Sequence, residues 1–321
     1  MLPTGISFIL PSTPPVSQNG LRHATLDERT ASTDRVLEGK GAMTHESDPA
    51  YMQLPKQSAH ALGIGGALIS MVEPHHGHEF TYNRWYEDDH FYSGALFMPW
   101  MFAGRRFVAT RELQMLRSPE HSIIAQPVTA GCYLHLYWIT KGHVDDHIRW
   151  TVSTNQELRA AARIHLERTH VYTSFQDFVG STRRAERGPA DHQTLDHPYG
   201  GVVMEVFDAN EPATRADLDV WLRDEYLPWL HRSPDNPIGT TVWFAPRPLP
   251  DDKQPDVADI PGVDRRLTVL HFLDDDPRTC WQSRFAKNGQ RVADSGVGML
   301  QLSAPFIPVV FGTDKYVDEL R

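Results

Sequence analysis

The ordering of hydrophobic and polar positions changes abruptly near residue 62. Residues 1–60 are rich in Ser, Thr, Pro and Gly and carry no period, so they read as a disordered tract. Met43 lies inside it, which leaves Met1 and Met43 as alternative starts. Beyond it the apolar run "LGIGGALISMVEP" (62–74) stops at a proline and predicts a buried strand. Residues 81–93 predict a helix, 104–110 a short strand, and 132–140 a strand with clear alternation. A helix over 145–165 and a strand over 170–179 follow. The order β-α-β-β-α-β is that of a ferredoxin-like unit.

The same pattern then returns. "GGVVMEVFDA" (200–209) parallels 65–74, and "DVWLRDEYLPWL" (219–230) parallels "NRWYEDDHFYSG" (83–94). "GTTVWFA" (239–245) parallels 104–110, "RRLTVLHFL" (265–273) parallels 132–140, and "FIPVVFGT" (306–313) closes the unit. Gly66 leads Trp85 by 19 residues and Gly201 leads Trp221 by 20; the next glycines, Gly104 and Gly239, lie 19 and 18 residues further on. Offsets this close mark an internal repeat. The expected fold is therefore α+β, with repeat 1 at 61–180, a polar linker at 181–198 and repeat 2 at 199–321. The open sheet faces of two such units can cover each other, so an intramolecular α/β barrel is expected, packed sheet to sheet around a chamber.

Composition narrows the partners. Of 321 residues 40% are hydrophobic and 22% charged, enough for a sizeable core, and the net charge of -10 argues against nucleic acid or an anionic membrane surface. No apolar run is long enough to span a bilayer. The two cysteines, Cys132 and Cys280, make no disulfide framework, so a reduced, cytoplasmic setting is expected. No GxGxxG, P-loop or GxSxG motif occurs.

The motif F-x-x-N-R-W-Y-x-x-x-H (80–90), followed by "GRRF" (104–107), resembles the first helix and second strand of the dimeric α/β-barrel superfamily, nearest its EthD-like and stress-responsive branches. The resemblance covers residues 62–318. It implies cofactor-free cyclases, monooxygenases, dehydratases and lyases, with heme in some members. It also implies a pseudo-dimer within one chain, with further homo-oligomers open. The second copy reads Glu225-Tyr226 where the first reads Asp89-His90, so any such site is asymmetric.

His90 shares a helical face with Tyr86 and Glu87. It can serve as acid or base, or cap the helix end; Asp89 can orient it or face water. On the strand 132–140, side chains alternate. Leu134, Leu136 and Trp138 are expected under the helices, and Tyr133, His135 and Tyr137 in the chamber, as a substrate-binding row or as a polar core row. Tyr172 and Ser174 share a face of the neighbouring strand, and His271 sits on the matching strand of the second half. Trp85 and Trp221 read as core anchors. His75, His76, His78 and Glu79 offer metal ligands in "EPHHGHE", without helical zinc spacing. Tandem heme relatives would carry a histidine on a helix of the C-terminal half, and 278–289 holds none; Cys280 is an isolated alternative.

These readings combine into an enzyme of lyase, isomerase or cyclase type, needing no cofactor. It would act on a small, partly apolar oxygenated or aromatic substrate through His90, His135, Tyr137 and Asp89. Tyr86, Tyr133, Tyr172, Ser174 and His271 would bind the substrate. A monooxygenase, a heme-dependent dehydratase or a non-catalytic binding barrel are the alternatives.

Overall fold

The computed structural model describes residues 63–184, 188–232, 235–259 and 261–321. The tract expected to be disordered lies outside them. The described residues belong to one compact unit, Ser47–Arg321.

Eight strands form the frame: β1 (Ile64–Pro74), β2 (Met101–Val108), β3 (Tyr133–Thr140), β4 (Arg168–Arg183), β5 (Gly201–Ala209), β6 (Ile238–Pro246), β7 (Arg266–Leu273) and β8 (Gly298–Pro308). They close into one antiparallel barrel in the order β1-β3-β2-β8-β5-β7-β6-β4. The first half contributes β4-β1-β3-β2 and the second β8-β5-β7-β6. The expectation of two sheets packed face to face is replaced by sheets joined edge to edge. One seam is short, Phe107↔Pro308 and Val108↔Ile307. The other is long, from Gln176↔Pro246 to Arg183↔Thr240, because β4 runs on into the stretch expected to be linker. Closure gives each of the eight strands two neighbours.

Two elements depart from the sequence reading. The last strand is β8, not 306–313. Its start, "GMLQLSAP", is poor in β-branched residues and gives little local signal, yet β5 pairs with it from Val202↔Phe306 to Ala209↔Gly298. The region 278–289 splits into α6 (Trp281–Arg284) and α7 (Asn288–Ser295).

The barrel interior is mainly apolar. Trp138 of β3 meets Phe244 of β6 at 5.2 Å and Phe272 of β7 at 6.4 Å. Phe107 of β2 reaches Phe272 at 6.4 Å. Leu134, Leu136, Met204, Leu270 and Leu302 belong to the same core. These side chains occupy the interior where a chamber was expected. The helices lie outside: α1 (Glu79–Trp85), α2 (Arg111–Gln114) and α3 (Val144–Ala160) on the first half, and α4 (Arg215–Trp221), α5 (Leu227–His231), α6 and α7 on the second. Among the described residues no helix is long and apolar enough to cross a membrane.

Candidate functional site

The helix begun by α1 continues through two π-helical turns, Tyr86–His90 and Tyr92–Leu96. A π turn places residue i over i+5 rather than i+4. His90 accordingly stacks on Trp85, with centroids 4.4 Å apart and planes 20° apart. Its edge contact with Tyr86, at 5.2 Å, is looser than the shared α-helical face expected from sequence. Gly94 makes room for the ring: a Cβ there would stand 2.3 Å from His90 Nδ1. Burial, followed by the charge of Arg168, pushes His90 down to about 3, so the imidazole is neutral. Its buried Nδ1 has no partner.

Beneath this helix lies the face of β3 that carries Tyr133, His135 and Tyr137. The sequence assignment of the two β3 faces is thus reversed: this face meets the helices, and Leu134, Leu136 and Trp138 point into the barrel. The register sets a row across the sheet, Arg106 beside His135 and His135 beside Ser70, with Thr173 on the far side. Tyr86 stacks on His135 at 4.0 Å and 9°. Its hydroxyl meets that of Tyr137 at 2.6 Å. Burial pushes Tyr86 up to about 12 and Tyr137 well above its ordinary value, so both are neutral.

His135 is fully buried, and neither ring nitrogen has a partner. Burial and the adjacent Arg106 hold its pKa well below the usual imidazole range. Arg106 is also fully buried. It donates to Glu87 Oε1 at 2.9 Å and to Asn83 at 3.2 Å. Its guanidinium lies 4.6 Å from the Tyr86 ring and 5.0 Å from that of Tyr133, where the π faces attract it. Glu87 also accepts from Arg84 and from the Gly312 amide, each at 2.8 Å. Several buried polar atoms here have no partner: Tyr82 Oη, His90 Nδ1, both nitrogens of His135, and Nε and Nη2 of Arg106.

A cavity of about 90 Å³ opens between this helix, α3 and the sheet. Trp85, Tyr86, His90, Tyr137 and Phe175 form its walls, and Ser70, His170 and Thr173 its floor. The β6–β7 connection of the second half covers it through Leu249, Pro250, Lys253, Gln254 and Val257. That cover is tethered by Asp256, which pairs with Arg159 at 2.6 Å and Arg168 at 3.4 Å. A larger groove of about 860 Å³ opens at the end of β1 and β4. Its charges neutralise each other, as in Arg247 with Asp145 and Asp177, and it contains none of the unpaired buried groups. The smaller, aromatic cavity is therefore the candidate site.

The structure brings Tyr86, His90 and Tyr137 to the cavity wall, while His135 lies behind Tyr86 and is sealed from it. Asp89 does not orient His90; it pairs with Arg163 and Ser93 at the surface. Tyr133 packs against Tyr82 at 5.4 Å. Tyr172 points into the barrel, its hydroxyl 2.9 Å from Thr268 across the interior, and Ser174 shares that face. His271 belongs to the second half, 3.0 Å from Glu205. His75 bonds Glu167 and Thr169, both at 3.1 Å. His76 is exposed and His78 stands edge-on to His165. Among the described residues no cluster of His, Cys, Asp and Glu is placed to hold a metal. The sequence reading missed Ser70, Arg168, His170 and Thr173; Arg168 and His170 reach this face through a register shift in β4 between Tyr172 and His170. Arg106 did leave a trace, a charged residue next to Phe107 inside a strand.

No known family matches the chain, and neither does any curated protein. Solved structures do resemble it. An anthrone oxidase-like protein matches at 8% identity and TM-score 0.49, covering 78% of this chain and 93% of that one. A Fusobacterium nucleatum protein assigned as a monooxygenase matches at 7% and 0.45, covering 77% and 94%. A variant of DypB from Rhodococcus jostii in complex with heme matches at 11% and 0.40, covering 78% and 95%. Their names point to oxidation, and one holds heme. The expectations of a lyase, isomerase or cyclase and of chemistry without a cofactor are both corrected on this finding.

Heme itself does not fit the described residues. A void of ~150 Å³ accommodates a single benzene ring, and the first-half cavity is smaller than that. In the second half the corresponding space is filled by Trp281, Phe285 and Tyr226, all buried. Asn288, on the helix that would have to supply a histidine, donates to Glu205 at 3.0 Å.

Proposed function

We propose that the chain is an oxygen-using monooxygenase of the dimeric α/β-barrel type, acting on a small, partly apolar, oxygenated substrate in the first-half cavity. The reading extends to the architecture: two copies of one ferredoxin-like unit form a pseudo-dimer, and only the first copy keeps a site. The observation that carries it is an aromatic cavity whose lining residues include three with an unpaired buried polar atom, Tyr82, His90 and Asn155. Unpaired buried groups cost about 1–3 kcal/mol each, so their presence beside one cavity speaks for a ligand there.

In this site the neutral His90 imidazole accepts a hydrogen bond from a substrate hydroxyl. The Tyr86–Tyr137 pair keeps one phenolic O–H for a developing oxygen charge. The aromatic walls and the 249–257 cover exclude water. The test is oxygen uptake with a panel of short-chain alcohols, aldehydes and ketones, in wild type and in His90→Phe. Uptake that falls about 100-fold in the variant, with folding intact, supports the proposal. Ligand binding with no oxygen uptake across the panel points instead to a binding barrel.

A further inference from the structure

The cavity floor carries a hydrogen-bond chain whose direction can be worked out. Arg168 Nε donates to His170 Nε2 at 3.2 Å. An arginine only donates, so Nε2 is the acceptor and the ring proton sits on Nδ1. The alternative, an Nε2–H pointing at Asp256, is excluded because that separation is 3.9 Å. Burial and the charge of Arg168 keep the ring neutral, with its pKa pushed down to about 3. Nδ1–H therefore donates to Thr173 Oγ1 at 2.8 Å. Thr173 Oγ1 in turn meets Ser70 Oγ at 2.7 Å.

The two hydroxyls own two hydrogens, and one is used between them. Whichever donates, one O–H of the pair has no acceptor in the protein, and both residues line the cavity. The floor thus presents a donor, because Arg168 has fixed the histidine as a donor one step earlier.

We propose that the Ser70–Thr173 pair is the specificity determinant of the cavity. It selects a ligand of a few heavy atoms bearing an acceptor oxygen, such as a short-chain aldehyde or ketone, aimed at β1 and β4. This rests on the cavity being a ligand site, as proposed above. The test measures binding of 2-methylpropene and acetone to the full chain by titration calorimetry. The double variant Ser70→Ala/Thr173→Val weakens acetone about five- to tenfold, the worth of one neutral hydrogen bond, and leaves 2-methylpropene unchanged. Each single variant, Ser70→Ala or Thr173→Val, keeps one hydroxyl and changes acetone binding less than the double does. Thr173→Ser binds both as wild type. If the double variant does not fold, Ser70→Gly/Thr173→Ala carries the same expectation. Equal weakening of both ligands, or an unchanged acetone affinity with 2-methylpropene still bound, overturns the specificity role and leaves the cavity reading intact. Failure of wild type to bind either ligand overturns both.

Discussion

Trp85 with His90 and Trp221 with Tyr226 occupy matched places in the two halves, each pair brought together by a π turn. The stacks are similar, 4.4 Å and 20° against 5.2 Å and 15°. What surrounds them differs. In the second half Tyr226 donates to Glu205, whose carboxylate also receives His271 at 3.0 Å, Asn288 at 3.0 Å and Ser303 at 3.2 Å. Thr241 completes the far side of His271 at 2.9 Å. Around Glu205 the donors converge on one carboxylate. In the first half His135, on the helix face of β3, has no partner on either nitrogen, and a cavity opens on the far side of Tyr86. The same scaffold has been knit shut on one side and left open on the other. Stability is concentrated where the polar groups pair, and binding capacity where they do not.

The comparison can be broken most forcefully at Glu205. Glu205→Leu leaves the Tyr226, His271, Asn288 and Ser303 donors buried without their acceptor, and should cost about 3–5 kcal/mol. Urea unfolding measures this; a loss under about 1 kcal/mol would show that the second half is not held by its network. The matched change in the first half goes the other way. His135→Phe keeps the stack on Tyr86 and removes two orphaned nitrogens, so stability at pH 7 should rise by about 1 kcal/mol.

Acid sharpens the contrast. His90 and His135 have folded pKa values below their unfolded values, His90 at about 3. Between that range and the unfolded value near 6.5, the unfolded chain binds more protons than the folded one. Stability therefore rises with pH across this window and is lost as pH falls. His135→Phe should flatten the slope by about 1.4 kcal/mol per pH unit near pH 5. An unchanged slope would mean that His135 is already protonated in the fold. The smallest effect on the fold belongs to Gly94→Ala. The added methyl drives the His90 ring off Trp85 and should weaken ligand binding about tenfold while changing the unfolding midpoint little. Unaltered binding would detach His90 from the cavity's function.

Some of this was legible in the sequence because it is written locally. Gly66–Trp85–Gly104 and Gly201–Trp221–Gly239 exposed the repeat, and the alternation of Tyr133 to Thr140 located β3. His90, Tyr86 and Tyr137 were named and do meet at one cavity. The chamber was placed on the wrong side because period-two alternation defines two faces without saying which is inside. In β3 both faces are buried, since helices cover one and the closed barrel the other. Arg168 and His170 escaped notice because the β4 irregularity moves them onto the helix face, against simple alternation.

The sequence by itself located most of the strands and the helix that follows the first of them, since these depend on residue spacing along a few turns. Only the tertiary structure decided which faces closed around hydrocarbon and which half kept a cavity. Those outcomes depend on contacts between residues far apart in the chain, such as Trp138 with Phe272 and Glu205 with Ser303. No local period encodes how the volumes and polar groups of distant strands match.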